Sequence, residues 1–168
     1  MTDTRGIVVE HDLMVPARDG VALATDVYRP EGPGPFPVLL ERTPYDKSAA
    51  SRSERTAAVA RARSRAEVAA YFIAHGYAVA YQDCRGRYHS GGHFTKYLSE
   101  AEDGFDTLAW LRRQPWCNGS IGTFGLSYAA HTQAALGCLD PPGWQQRVSS
   151  EHQAHPDAQM RSDNSVSA

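Results

Sequence analysis

The sequence predicts an α/β fold: a largely parallel sheet covered by helices, with antiparallel strands at its start. Three observations carry this expectation. The chain opens on two alternating apolar and polar stretches separated by an Asp-Gly turn. Short apolar runs then alternate with segments of helical period. Further on, an apolar run enters Gly125-Leu126-Ser127 and passes straight into a helix of small residues. The 168 residues amount to one domain, and 42% hydrophobic with 21% charged residues is the balance of a globular chain.

The elements follow in order. Ile7 to Val15 and Val21 to Tyr28 alternate as half-buried strands, with Ala17-Arg18-Asp19-Gly20 as the turn between them. Residues 30–35 are a loop of prolines and glycines, and Phe36 to Leu40 is a short buried strand. Residues 51–75 predict an amphipathic helix with Val59, Ala62, Ala66, Ala69 and Ile73 on its apolar face. Its arginines (Arg52, Arg55, Arg61, Arg63 and Arg65) read as a solvated face rather than a phosphate site, with Arg63 and Glu67 spaced for an ion pair. Gly76 ends that helix, and Tyr77 to Tyr81 is the next strand. Ser99 with Glu102 has the pattern of a capping box for a helix carrying Phe105, Leu108 and Ala109, stopped at Gln114-Pro115. Ile121 to Phe124 is a strand, and the last helix runs from Tyr128 to about Cys138. After Gly143 the composition turns Ser-, Gln- and His-rich without period, which predicts disorder.

Composition excludes several function classes. Seventeen basic against nineteen acidic residues give a net charge of -2, so no overall field recruits nucleic acid or an acidic membrane. No apolar run approaches the roughly 20 residues of a membrane span. The first residues lack a basic segment followed by an apolar one, so no signal peptide is expected. Cys84, Cys117 and Cys138 are odd in number and lack CxxC spacing, as in a reduced, cytoplasmic protein.

Ser127 is the sharpest candidate for chemistry. In Gly125-Leu126-Ser127-Tyr128-Ala129 a serine sits between strand and helix, where a tight turn presents its hydroxyl above the sheet. The Tyr128 amide then lies at a helix N-terminus, aimed where an oxyanion develops. Ala129 stands where the pattern prefers glycine. The alternative, a serine capping an ordinary helix, is weakened by the strand–turn–helix context. Asp83 and Arg85 read as a salt-bridged loop. His89 and His93 are four apart, but Gly91 and Gly92 between them argue against a helical metal site. Asn118-Gly119-Ser120 matches a glycosylation sequon, which carries little without secretion.

Several blocks in register extend this reading. They are Arg18-Asp19-Gly20-Val21, Asp26-Val27-Tyr28-Arg29-Pro30, residues 37–47 ending in Thr43-Pro44-Tyr45-Asp46-Lys47, and His75-Gly76-Tyr77-Ala78-Val79. Then come Gln82-Asp83-Cys84-Arg85-Gly86-Arg87, Ser90-Gly91-Gly92-His93-Phe94, residues 102–107, residues 114–119 and Gly122-Thr123-Phe124-Gly125-Leu126-Ser127-Tyr128. With these the chain resembles the N-terminal part of the cocaine esterase and X-prolyl dipeptidyl-peptidase family of α/β-hydrolases. The resemblance implies an incomplete α/β-hydrolase fold that ends just after the helix following Ser127. It implies a serine hydrolase of acyl esters, amides or peptides, acting through a Ser127 acyl-enzyme with no metal and no organic cofactor. Ser127 becomes the nucleophile. The Tyr45 hydroxyl and the Tyr128 amide become the oxyanion donors. The choice among esterase, acylase and X-prolyl dipeptidase stays open.

The same resemblance shows what is missing. A serine needs a general base and an acid that orients it, and in this fold both follow the serine at a distance. His131 lies four residues into the next helix and points away, while His152 and His155 fall in the aperiodic tail. The expectation is therefore that residues 1–143 are the N-terminal part of a catalytic domain. Residues 144–168 would be a disordered tail, in the simplest account out of frame in a truncated or frame-shifted product. The isolated chain would be inactive, a catalytically dead remnant or a binding and assembly module. The last strand, lacking a neighbour, would favour edge-to-edge self-association.

Overall fold

The computed structural model describes residues 6–50 and 61–146. Strands β1 (Ile7–Pro16) and β2 (Ala22–Pro30) form the expected antiparallel hairpin. Gly20 closes its turn at positive φ, donating to the Ala17 carbonyl at 2.9 Å. The register shifts between Glu10 and Leu13, so β1 carries a bulge with Asp12 at φ 52°.

Strand β3 (Phe36–Thr43) runs three residues past the predicted Leu40, through Glu41 and Arg42. Helix α1 spans Arg65–Ile73, and residues 61–64 before it are not helical, so the single helix predicted over 51–75 does not run through them; residues 51–60 lie outside the described residues. Ser64 starts it with a full capping box: its hydroxyl accepts from the Glu67 amide, and the Glu67 carboxylate accepts from the Ser64 amide. Arg61 and Arg63 therefore precede the helix, and Glu67 pairs with Arg61 at 2.7 Å rather than with Arg63. The apolar face also differs. Val68 and Ala69 are buried and Phe72 and Ile73 pack beside them, but Ala66 is exposed. Arg65 is buried, because it faces Glu41 of β3 rather than solvent. Arg52, Arg55 and Val59 lie outside the described residues. Gly76, at φ 82°, ends α1 with the paired hydrogen bonds Gly76 to Ile73 and Tyr77 to Phe72.

Strand β4 (Ala78–Asp83) is buried along its whole length. Helix α2 (Glu100–Arg112) starts after Ser99, but the predicted capping box is absent: Ser99 is left-handed, at φ 63°, and its side chain caps nothing. The buried face of α2 includes Asp103 and Thr107 beside Leu108 and Leu111, with Phe105 and Ala109 only half-buried. Strand β5 (Cys117–Thr123) begins four residues before the predicted Ile121. Helix α3 (Tyr128–Gly137) follows the Ser127 turn as expected. A sixth strand, β6 (Trp144–Gln146), lies past residue 143 and pairs in parallel with Ile121–Thr123. The far side of β5 is thus hydrogen-bonded over these residues, where the sequence predicted an open edge. Residues 147–168 lie outside the described residues.

The sheet order is β1-β2-β4-β3-β5-β6, parallel from β4 to β6 and antiparallel at the hairpin. Alternation along the strands builds two larger cores, beside a small cluster of Val15, Ala17 and Leu23 on the hairpin. Val27, Val38, Leu40, Ala78, Ala80 and Ile121 face α2 and α3, packing with Leu108, Leu111 and Leu136. Tyr28, Leu39, Val79 and Tyr81 face α1 and pack with Val68, Ala69 and Phe124.

Candidate active site

The strand order places a break in the winding at β3. From β3 the chain crosses over α1 to β4 on one side, and from β5 over α3 to β6 on the other. The loops after β3 and β5 therefore diverge from adjacent parallel strands. In open α/β sheets such a switch point leaves a crevice at the carboxyl ends of the strands. Tyr45 lies two residues past β3 and Ser127 four residues past β5, so both flank this point.

The Ser127 turn is built around Gly125. At φ 119° a side chain here is strained, and a Cβ would meet the Ala129 Cβ at 2.6 Å and the Glu41 Cγ at 3.0 Å. Ser127 has φ 57° and ψ -118°, an outlying conformation for a residue with a side chain. It is exposed and makes no side-chain capping bond, so it does not serve as an ordinary N-cap. Its carbonyl accepts from the amides of Ala130 (3.0 Å) and His131 (3.1 Å), which starts α3. The Tyr128 amide finds no acceptor among the described residues.

Tyr128 is anchored from below. Its hydroxyl donates to Glu100 Oε1 at 2.9 Å and accepts from the Tyr97 amide at 2.8 Å. Its ring stacks on Tyr97, with centroids 5.3 Å apart and planes 11° from parallel. Burial pushes the Tyr128 phenol well above its ordinary pKa, so it stays a neutral donor. Glu100 pairs with Arg42 of β3 at 3.1 Å, and Arg42 Nε donates to Gln82 Oε1 at 2.8 Å. This chain through Gln82, Arg42, Glu100 and Tyr128 ties β4, β3, α2 and the Ser127 turn together. Sequence reasoning missed it; the available signal was Glu41-Arg42, two charges continuing an apolar strand.

Tyr45 is exposed, and its amide donates to Thr43 Oγ1 at 3.1 Å, which turns the chain out of β3. The remaining candidates separate from Ser127. The His131 ring lies 4.5 Å from that of Tyr97, and among the described residues no histidine is hydrogen-bonded to Ser127. Arg85 bridges Asp19 (2.6 Å) and Asp103 (2.5 Å), whereas Asp83 accepts backbone N–H groups from Lys47 and His89. The expected salt-bridged loop thus pairs Arg85 with other partners. No group of three or more His, Cys, Asp or Glu side chains positioned for a metal occurs among the described residues. No helix there is long and apolar enough to cross a membrane.

The model of the X-Pro dipeptidyl-peptidase (S15) family matches residues 19–163. The chain belongs to this family. The match runs twenty residues past the point where composition alone ended the resemblance. Within the curated relatives, cocaine esterase of Rhodococcus sp. (strain MB1 Bresler) is 44% identical over 125 residues, 74% of this chain and 20% of that protein. Among solved structures, an alpha-amino acid ester hydrolase superposes with a TM-score of 0.69 at 30% identity, covering 86% of this chain and 25% of the other. A CocE/NonD family hydrolase from Staphylococcus aureus gives 0.70 at 28% identity, covering 83% and 27%. The S15 chain described here therefore spans about a fifth of the length of the curated relative and has the N-terminal part of an α/β-hydrolase fold.

Proposed function

We propose that Ser127 is the nucleophile of a serine hydrolase acting on acyl ester or amide bonds. The observation that carries this reading is the outlying backbone of an exposed, non-capping Ser127 at the switch point of the sheet. The Tyr128 amide and the Tyr45 hydroxyl, on the neighbouring loops, are the two oxyanion donors. The serine adds to the acyl carbon, the carbonyl oxygen takes up the negative charge, and the alcohol or amine leaves with a proton. Delivering that proton needs a base. No side chain among the described residues occupies that place, so residues 6–50 and 61–146 by themselves supply the nucleophile without its base. A small-molecule ester, amide or peptide is the substrate class.

A fluorophosphonate probe tests the reading. The chain should acquire one adduct, mapped to the peptide containing Ser127 by mass spectrometry, and Ser127→Ala should acquire none. Tyr45→Phe should slow the labelling by about 10²–10³-fold, the usual effect of one oxyanion donor. An adduct on another residue, or equal labelling of the alanine variant, would remove Ser127 from the role.

A further inference from the structure

A second cluster of charges lies away from the Ser127 turn. The Lys47 side chain is 3% exposed, with Nζ 2.7 Å from Asp26 Oδ1 and 2.8 Å from Asp12 Oδ1. Asp26, on β2, is itself buried. Asp12 stands on the β1 bulge, and its amide donates to Asp26 Oδ1 at 2.9 Å. His11 Nδ1 meets Asp26 Oδ2 at 2.9 Å, and His89 Nδ1 meets Asp12 Oδ1 at 2.8 Å. Burial works against the Lys47 ammonium, but its hydrogen bonds to Asp12 and Asp26 outweigh that and raise its pKa.

The rest of the same loop is also tied down. The Lys47 amide donates to Asp83 Oδ1 at 2.8 Å, and Arg87 Nε donates to the Pro44 carbonyl at 3.0 Å. Tyr45 therefore stands between two fixed points, Pro44 and Lys47, on a loop whose own tip is exposed. A buried ion pair is a poor source of net stability, because apolar residues of similar volume serve as well or better. What this one does is join the loop after β3 to the N-terminal hairpin, which otherwise sits at the opposite side of the sheet from Ser127.

We propose that Lys47, clasped by Asp12 and Asp26, is a positioning residue for the Tyr45 hydroxyl, so that the β1–β2 hairpin is a working part of the oxyanion site. This rests on the reading of Tyr45 as an oxyanion donor. It follows that the clasp acts on Ser127 chemistry only through Tyr45.

Two measurements on the full chain test this. In the first, Lys47→Met and the pair Asp26→Asn/Lys47→Met are compared by urea unfolding and by hydrogen exchange of residues 44–49. The single change strands a buried carboxylate and lowers the unfolding midpoint, whereas the pair restores it. A positioning role predicts that residues 44–49 nevertheless stay fast-exchanging in the pair. Wild-type protection there would overturn the proposal. In the second, the fluorophosphonate rate at Ser127 is followed in a cycle with Tyr45→Phe. Lys47→Met should slow labelling at least tenfold with Tyr45 present and leave the Tyr45→Phe rate unchanged. Equal slowing in both backgrounds would overturn it. A wild-type chain that never labels at Ser127 would instead overturn the underlying hydrolase reading, and the exchange experiment would still decide whether the clasp holds the loop.

Discussion

Gly125 and Ser127 show how a single residue decides local geometry. The hydroxyl can be lifted off the helix axis only because Gly125 lacks the Cβ that would strike Ala129. We expect Gly125→Ala to lower stability by about 2–4 kcal/mol, from backbone strain and overpacking together. Gly119 also has positive φ, at 88°, but open space around it. Gly119→Ala should cost about 1–2 kcal/mol, from the backbone alone. Urea midpoints of the two variants separate the contributions, and equal losses would mean that the Ala129 contact is relieved. The Gly-x-Ser pattern was legible in the sequence because its chemistry is local. The Lys47 clasp was not, since Asp12, Asp26 and Lys47 converge only when the hairpin packs beside the loop after β3.

At the level of elements, two Ser-x-x-Glu patterns diverge. Ser64-Arg65-Ala66-Glu67 forms the capping box, while Ser99-Glu100-Ala101-Glu102 does not. The sequence cannot tell them apart. Tyr97 and Ser99 both take positive φ in the loop that lays Tyr97 over Tyr128, and this turns the Ser99 hydroxyl from the first helical turn. Ser64→Ala should therefore lower stability by about 1 kcal/mol, whereas Ser99→Ala should change it by less than about 0.5 kcal/mol. Thermal unfolding of both variants checks this, and a larger loss at Ser99 would contradict the geometry. The start of helix α1 was missed in the sequence reading because Arg61-Ala62-Arg63 has helical composition, which the Ser64 cap overrides. Strand β6 escaped because three residues within a polar stretch give no periodic signal. Trp144 holds it, its ring against Gly137 and its Nε1 donating to Thr123 Oγ1 at 3.1 Å. Trp144→Ala should release β6, expose the β5 edge and raise the mass seen by light scattering as concentration increases. An unchanged mass would mean that β6 is not what covers this edge.

For the whole molecule, acid and base limits follow from its ion pairs. Hydrogen bonds from Arg61 hold Glu67 at about 2, and those from Lys47 and Arg85 hold Asp12 and Asp19 below the usual carboxylate range. Depressed carboxylates contribute stability above their unfolded values, near 4, and lose it as pH falls through the folded ones. The hydrogen bond to Asp12 raises His89, so its contribution is present below about 6.5 and fades as pH rises through the folded value. Both groups are exposed, so this second loss is small and screened by salt. Because these carboxylates are exposed too, urea midpoints should fall gradually below pH 4 and slightly above pH 7, both less at high salt, and His89→Gln should flatten the upper limb while slightly weakening the lower one, since His89 also lowers Asp12.

We propose that Ser127 and its oxyanion donors act with no general base among the described residues. The pH dependence of fluorophosphonate labelling at Ser127 tests it most directly. Without a histidine base the rate should rise about tenfold per pH unit between pH 6 and 9, following alkoxide formation, with no plateau. A plateau near pH 7 that tracks a histidine titration, or labelling that persists in Ser127→Ala, would contradict the account.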